Sequence, residues 1–150
     1  MKRELGIARC GLACCLCSEN DTCSGCSSDA CLDKEWCENR SCSISKAISH
    51  CYQCPESCQK GLLAQIKPYG FTLFVKRYGV EKLLDCLERN EQKGVVYHRE
   101  GFHGDYDDFE DVEELIAFIL AGENNCHNAA KRAIINDPLK RLTLMGYNIF

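Results

Sequence analysis

Through the first sixty positions, apolar side chains other than cysteine stand singly (Leu12, Leu16, Leu32, Trp36, Ile44, Ile48), and a helical rhythm begins only after Lys60. Leu62, Leu63 and Ile66 lie on one helical face before Pro68-Tyr69-Gly70, a combination expected to break the run. Phe71, Phe74, Val75 and Tyr78 resume the spacing, Gly79 interrupts it, and Val80, Leu83, Leu84 and Leu87 carry a further stripe to about Asn90. Gly94-Val95-Val96-Tyr97-His98 reads as a brief strand and Gly101 to Gly104 as a turn. Val112, Leu115, Ile116, Ile119 and Leu120 predict a helix closing at Gly122. A last helix is expected from Asn125 to Asn136, stopped by Asp137-Pro138, with Leu142, Leu144, Tyr147 and Ile149 in a strand or extended arm. The expected fold class is α+β, mostly α. An irregular Cys-rich region (1–60), organised by metal, packs on a small, mainly helical unit (61–150) with few short strands.

The first region lacks apolar residues to close on, yet twelve of the fourteen cysteines fall between Cys10 and Cys58. Disulfides or metal would have to hold it. The start, Met1-Lys2-Arg3-Glu4-Leu5-Gly6, leads into no apolar segment of signal-peptide length, so a cytoplasmic, reducing setting is expected and metal is the better reading. Three Cys-x2-Cys pairs occur: Cys14/Cys17, Cys23/Cys26 and Cys51/Cys54. That spacing lets two sulfurs converge on one ion from a tight turn, and Ser24-Gly25 and Pro55 supply turn residues at two of the pairs.

The candidate ligands are Cys10, Cys14, Cys17, Cys23, Cys26, Cys37, Cys42, Cys51, Cys54 and Cys58. Two tetrahedral zinc sites would use eight of these ten sulfurs and leave two as buried thiols. Cys15, wedged between better-placed neighbours, and Cys31, without a partner at pair spacing, are read as packed or free. His50 is read as a surface or capping histidine and stays outside the ligand set. Each tetrathiolate zinc carries a formal charge of about −2, and Arg9, Arg40 and Lys46 are at hand to offset it.

An iron–sulfur cluster is the alternative cofactor. Cys10-x3-Cys14-x2-Cys17 has the spacing of radical enzymes that cleave S-adenosylmethionine, but the chain is too short for the barrel those enzymes build. The ferredoxin pattern fails because Asn20 and Asp29 stand where further cysteines would be needed. Cys51-x2-Cys54-Pro55 with Cys58 keeps a nonstandard cluster, and with it a redox or sensor protein, as a second reading.

Cys10-Gly11-Leu12 with Cys14 and Cys17, Thr22-Cys23-Ser24-Gly25-Cys26, Trp36-Cys37 with Cys42, and Cys51-x2-Cys54-Pro55-x2-Cys58 together resemble an uncharacterised cysteine-rich prokaryotic family, domain of unknown function 3795. The resemblance spans about positions 10 to 60. It implies zinc binding by those ten cysteines and carries no specific activity; Cys15 and Cys31 have no counterpart in the pattern.

Charge narrows the partners. With 18 basic against 22 acidic side chains and a net charge of −4, the chain is a poor phosphate neutraliser, so no nucleic acid is expected. No apolar run is long enough to span a bilayer. The acidic run from His98 to Glu114, which includes His103, Asp105, Asp107, Asp108, Glu110, Asp111 and Glu113, lacks the central glycine of a calcium loop and is read as capping the following helix. No recognisable catalytic motif is present. Cys86 lies on the Leu83, Leu84, Leu87 stripe as a small core residue, and Cys126, beside His127, is a weak candidate for a reactive thiol. The expectation is a non-enzymatic zinc-binding structural or interaction module. A protein contact through the helical unit is compatible with its aromatic content (Phe71, Phe74, Tyr78, Phe118), although core packing is the commoner use of such residues. A thiol-dependent enzyme using Cys14, Cys15 or Cys17 is the third alternative.

Overall fold

The computed structural model describes residues 1–18, 23, 25–26, 35–99 and 103–122. Four α-helices follow in order: α1 (Glu38–Ser45), α2 (Ile66–Tyr78), α3 (Val80–Gln92) and α4 (Val112–Ala121). Short 3-10 turns at Arg3–Leu5, Cys14–Leu16, Cys51–Gln53, Gly61–Ala64 and Asp105–Asp107 shape the connections.

Pro68 and Gly70, expected to end a helix, instead lie in the opening turns of α2. The first-turn N–H groups of a helix have no partner, so a proline three residues in costs nothing there. Gly70 serves packing, because a Cβ on it would stand 2.4 Å from Leu115 Cδ2 on α4. The stripe after it behaves as expected: Phe71, Phe74 and Val75 are buried on α2, and Leu83, Leu84, Cys86 and Leu87 on α3. Asp111 caps α4, accepting the N–H groups of Glu113 at 2.8 Å and Glu114 at 3.1 Å. Gly122 closes it in the left-handed conformation (φ 72°), donating to the Phe118 carbonyl at 2.7 Å. Asn90 and Arg89 of α3 donate to the last carbonyls of α4, Asn90 to Ile119 at 3.1 Å and Arg89 to Leu120 at 2.7 Å.

The strand expected at 94–98 is absent, and the described residues contain no strand at all, so the α+β class is corrected to a helical fold. The reason is local. Val96 donates its N–H to the side chain of Asp105 at 2.8 Å, while its carbonyl accepts the Asp105 N–H at 2.7 Å. A carboxylate thus takes the place of a neighbouring strand's carbonyl, and no ladder propagates. Helix α1 was not expected, because its buried face consists of Asn39 and Ser43 and carries no apolar period. The expected helix at 125–136, the arm at 142–149, Cys31 and Cys126 lie outside the described residues.

One core unites the described parts. Phe71, Phe74, Leu83, Leu87, Leu115 and Ile119 pack with Tyr106 and Phe118, and the N-terminal segment inserts Ile7, Ala13 and Cys15 among them. Backbone contact reinforces this joint. Gly11 (φ 89°) lies so close to α2 that a Cβ there would meet Thr72 Oγ1 at 2.5 Å and the Pro68 carbonyl at 2.8 Å. The Thr72 hydroxyl donates to the Cys10 carbonyl at 3.2 Å. Among the aromatic residues considered for a partner surface, Phe71, Phe74 and Phe118 are core, and Tyr78 alone is exposed. Among the described residues, no helix is long and apolar enough to cross a membrane.

Candidate metal centre

The thiols gather around two cavities. The first, of about 180 Å³, is lined by Cys14, Cys17, Cys23 and Cys26, with Tyr97 and His98 in its wall. The second, of about 430 Å³, is lined by Cys42, Cys51, Cys54 and Cys58, with Lys46 and Glu56 beside them. Eight of the ten candidate ligands therefore fall into two sets of four. Cys10 and Cys37 line neither cavity.

Local structure explains each placement. Cys14 opens a 3-10 turn, and the Cys17 N–H returns to the Cys14 carbonyl at 3.2 Å, which folds the pair into one bend. Cys51 and Cys54 repeat the device, with the Cys54 N–H on the Cys51 carbonyl at 3.0 Å. Cys42 projects from α1. The loop after Cys58 is pinned to that helix by Asn39, which donates to the Lys60 carbonyl at 3.0 Å and accepts the Leu62 N–H at 2.8 Å. Neither this asparagine nor the Tyr97-His98 wall was legible as part of a site, because both reach it through contacts distant in sequence.

Donors surround the sulfurs. The Arg9 N–H points at Cys26 Sγ at 3.3 Å, the Gly25 N–H at Cys23 Sγ at 3.4 Å, and Lys46 Nζ stands 3.5 Å from Cys54 Sγ and 2.8 Å from Glu56. Arg40 donates to the Cys26 carbonyl at 2.9 Å, and the Arg9 guanidinium to the Ser43 hydroxyl at 3.1 Å and the Ile48 carbonyl at 2.9 Å. All three cations singled out in the sequence thus lie beside the thiol sets.

Burial, reinforced by neighbouring thiols, pushes Cys14 up to about 12 and Cys51 up to about 11. Three neighbours of each thiol share its cavity and one does not: Cys26, Cys23 and Cys17 with Cys10 act on Cys14, while Cys58, Cys42 and Cys54 with Cys37 act on Cys51. Thiols so raised are the reverse of an activated nucleophile. Cys15, held at about 11 by burial in the core, lines neither cavity. Without an ion these groups are protonated at neutral pH, and a divalent cation would displace the protons.

All twelve described cysteines are free thiols. Among the described residues, no three His, Cys, Asp or Glu side chains converge closely enough to share an ion as they stand. The donor set still fits a soft or borderline cation, since each cavity presents four sulfurs with N–H or ammonium groups aimed at them. His50 lines neither cavity. Its half-buried ring stacks on Tyr52 with centroids 5.1 Å apart, and burial lowers its pKa.

The acidic run is structural. Asp105 pairs with Arg99, Asp107 with the buried Lys67 at 2.7 Å, and Glu113 with Arg77 through two contacts of 2.6 Å, while Asp111 caps α4. Fold and site together define a small helical protein whose N-terminal region presents two four-thiol cavities. No family model, curated protein or solved structure matches the chain.

Proposed function

We propose that the protein is a zinc-organised structural or interaction module, with one tetrathiolate ion held by Cys14, Cys17, Cys23 and Cys26 and another by Cys42, Cys51, Cys54 and Cys58. The observation that carries this reading is the division of eight thiols, four to a cavity, by a fold in which the N-terminal segment supplies few other core residues. Zinc bound there would supply the cross-links that the missing apolar residues do not, and a site filled by four sulfurs keeps no open position for a reacting water. The donors at Cys23, Cys26 and Cys54 would disperse the negative charge left on the sulfurs. Membership in the cysteine-rich family that the ten-cysteine pattern resembles, and a reducing cytoplasmic setting that keeps the thiols free, belong to the same proposal.

Native mass spectrometry with elemental analysis tests it. The purified chain is expected to retain at least two zinc ions, and a strong chelator is expected to abolish the protease resistance of the first sixty residues, because ligand regions of this kind seldom fold without metal. A compact chain that carries no metal overturns the proposal. Iron with acid-labile sulfide in place of zinc would replace it with the redox or sensor reading.

A further inference from the structure

The segment ahead of the first thiol set is tied down on two sides by polar contacts. Arg3–Leu5 forms one 3-10 turn with no buried residue, and full burial begins at Ile7. Of the first six residues, Met1 alone packs, partly buried, against the core. On one side the segment pairs with the turn Cys14–Leu16. The Lys2 N–H donates to the Cys15 carbonyl at 2.7 Å, and the Cys15 N–H donates to the Gly6 carbonyl at 3.0 Å. Both backbone polar groups between Cys14 and Leu16 are thus held by residues 1–6.

On the other side Arg3 reaches α3. Its guanidinium stands 2.9 Å from Glu81, 2.7 Å from Asp85 and 3.3 Å from Glu88, carboxylates spaced to share one helix face. These partners are 82%, 63% and 46% exposed, so salt can screen the attachment. Gly6 lies between this segment and Ile7 with φ 54°, and a Cβ there would meet no atom within 4 Å. Its glycine therefore serves the backbone angle rather than close packing, as a hinge requires.

We infer that residues 1–6 are an ionic latch on the first thiol set: hinged at Gly6 and locked by Arg3 on α3, they hold the Cys14–Cys17 bend, and their release lets that set exchange its ion while the second set keeps its own. This deepens the zinc reading by naming which site is regulated, and for the ion it rests on that reading. The latch does not extend to the second cavity, which is lined by residues from Asn39 onward. Segments held by exposed polar contacts open at the low end of a fold's range of local stabilities. Opening loosens the bend without unfolding it, because the Cys15 side chain stays in the core at 2% exposure and Tyr97 still holds the Ala13 N–H. A single exposed ion pair contributes little, but three carboxylates on one guanidinium form a network.

The test follows two rates in the folded full chain: alkylation by neutral iodoacetamide, mapped by mass spectrometry, and zinc transfer to a chromophoric chelator. The screening length falls from about 30 Å at about 0.01 M salt to about 3 Å at about 1 M. Across that range Cys14 and Cys17 are expected to react roughly fivefold faster and one zinc ion to leave faster by the same factor, with Cys51 and Cys54 unchanged. Arg3→Ala is expected to show the fast rates already at low salt and to lose the salt dependence, and Arg3→Lys to recover part of it. Should Arg3→Ala not fold, the Glu81→Gln/Asp85→Gln/Glu88→Gln chain is expected to behave in the same way. Unchanged rates at Cys14 and Cys17 in these variants, or equal acceleration of all four thiols, overturn the latch. A folded chain that holds no zinc overturns the metal reading instead, and the ratio of alkylation rates between the two sets still decides the latch.

Discussion

The phenol oxygen of Tyr97 accepts the backbone N–H of Ala13 at 2.9 Å in a buried hydrogen bond. Ala13 immediately precedes Cys14, and Tyr97 forms part of the wall of the first cavity, so a residue from the helical part fixes the backbone on which that thiol is carried. Replacing Tyr97 by Phe keeps the ring and strands the amide. An unsatisfied buried donor costs about 1–3 kcal/mol. The expected result is a loss of that size in urea denaturation, together with faster alkylation of Cys14 and Cys17 in the folded chain. An unchanged alkylation rate would show that the bond does not position the thiols.

Lys67 is the second tie. Its ammonium stands 2.7 Å from Asp107 Oδ2, 3.3 Å from the Tyr97 carbonyl and 4.5 Å from the centre of the Tyr97 ring, and its side chain is 3% exposed. Removing one member of a buried pair leaves a charge without compensation, at a cost of about 3–5 kcal/mol. Lys67→Met is expected to destabilise by that amount. Adding Asp107→Asn should recover part of the loss, so a double-mutant cycle by thermal denaturation should report strong coupling. Additive effects would place the stabilisation elsewhere.

Asp111 tests the capping account of the acidic run. Its carboxylate accepts two first-turn N–H groups of α4, and Asp111→Ala should cost about 1 kcal/mol while Asp111→Asn costs much less. Calcium titration should leave both the parent chain and the variant unchanged in melting temperature. A calcium-dependent rise would contradict the assignment of these carboxylates to structural partners.

The alkaline limb of the stability profile should report Cys15. Burial raises this thiol from its ordinary 9.0 to about 11. An unfolded chain gives up the proton near the ordinary value and the folded chain holds it longer, so the contribution is complete below about pH 9 and is lost as pH rises toward about 11. With the ligand thiols already ionised by metal, the urea midpoint of the loaded protein should fall between about pH 9 and about pH 11, and Cys15→Ala should flatten that fall. An equal slope in the variant would assign the titration to another group.

What sequence alone determined here is what depends on near neighbours. Helical spacing marked Phe71, Phe74 and Val75 and the stripe Val80 to Leu87 as buried faces, and the Asp111 and Gly122 signals marked both ends of α4. The position of Cys15 between two better-placed neighbours led to its reading as packed or free, and it is packed in the core, whereas sulfur ligation by the ten spaced cysteines stands as a proposal. Capping, periodicity and pair spacing are properties of a few consecutive residues, so one chain is enough to read them.

Tertiary structure decided the rest, because the deciding partners are remote. Pro68 and Gly70 looked like a stop until Leu115, forty-five positions after Gly70, required a residue without a side chain at that point of α2. Val95 and Val96 had strand character, but Asp105 supplied the acceptor locally and no second strand lies alongside among the described residues. The division of thiols into sets, and the meeting of Cys26 and Cys51 at Arg9, bring together positions up to 42 residues apart in the chain. Loop closure on that scale is governed by the whole core, and residue spacing along the chain does not encode it.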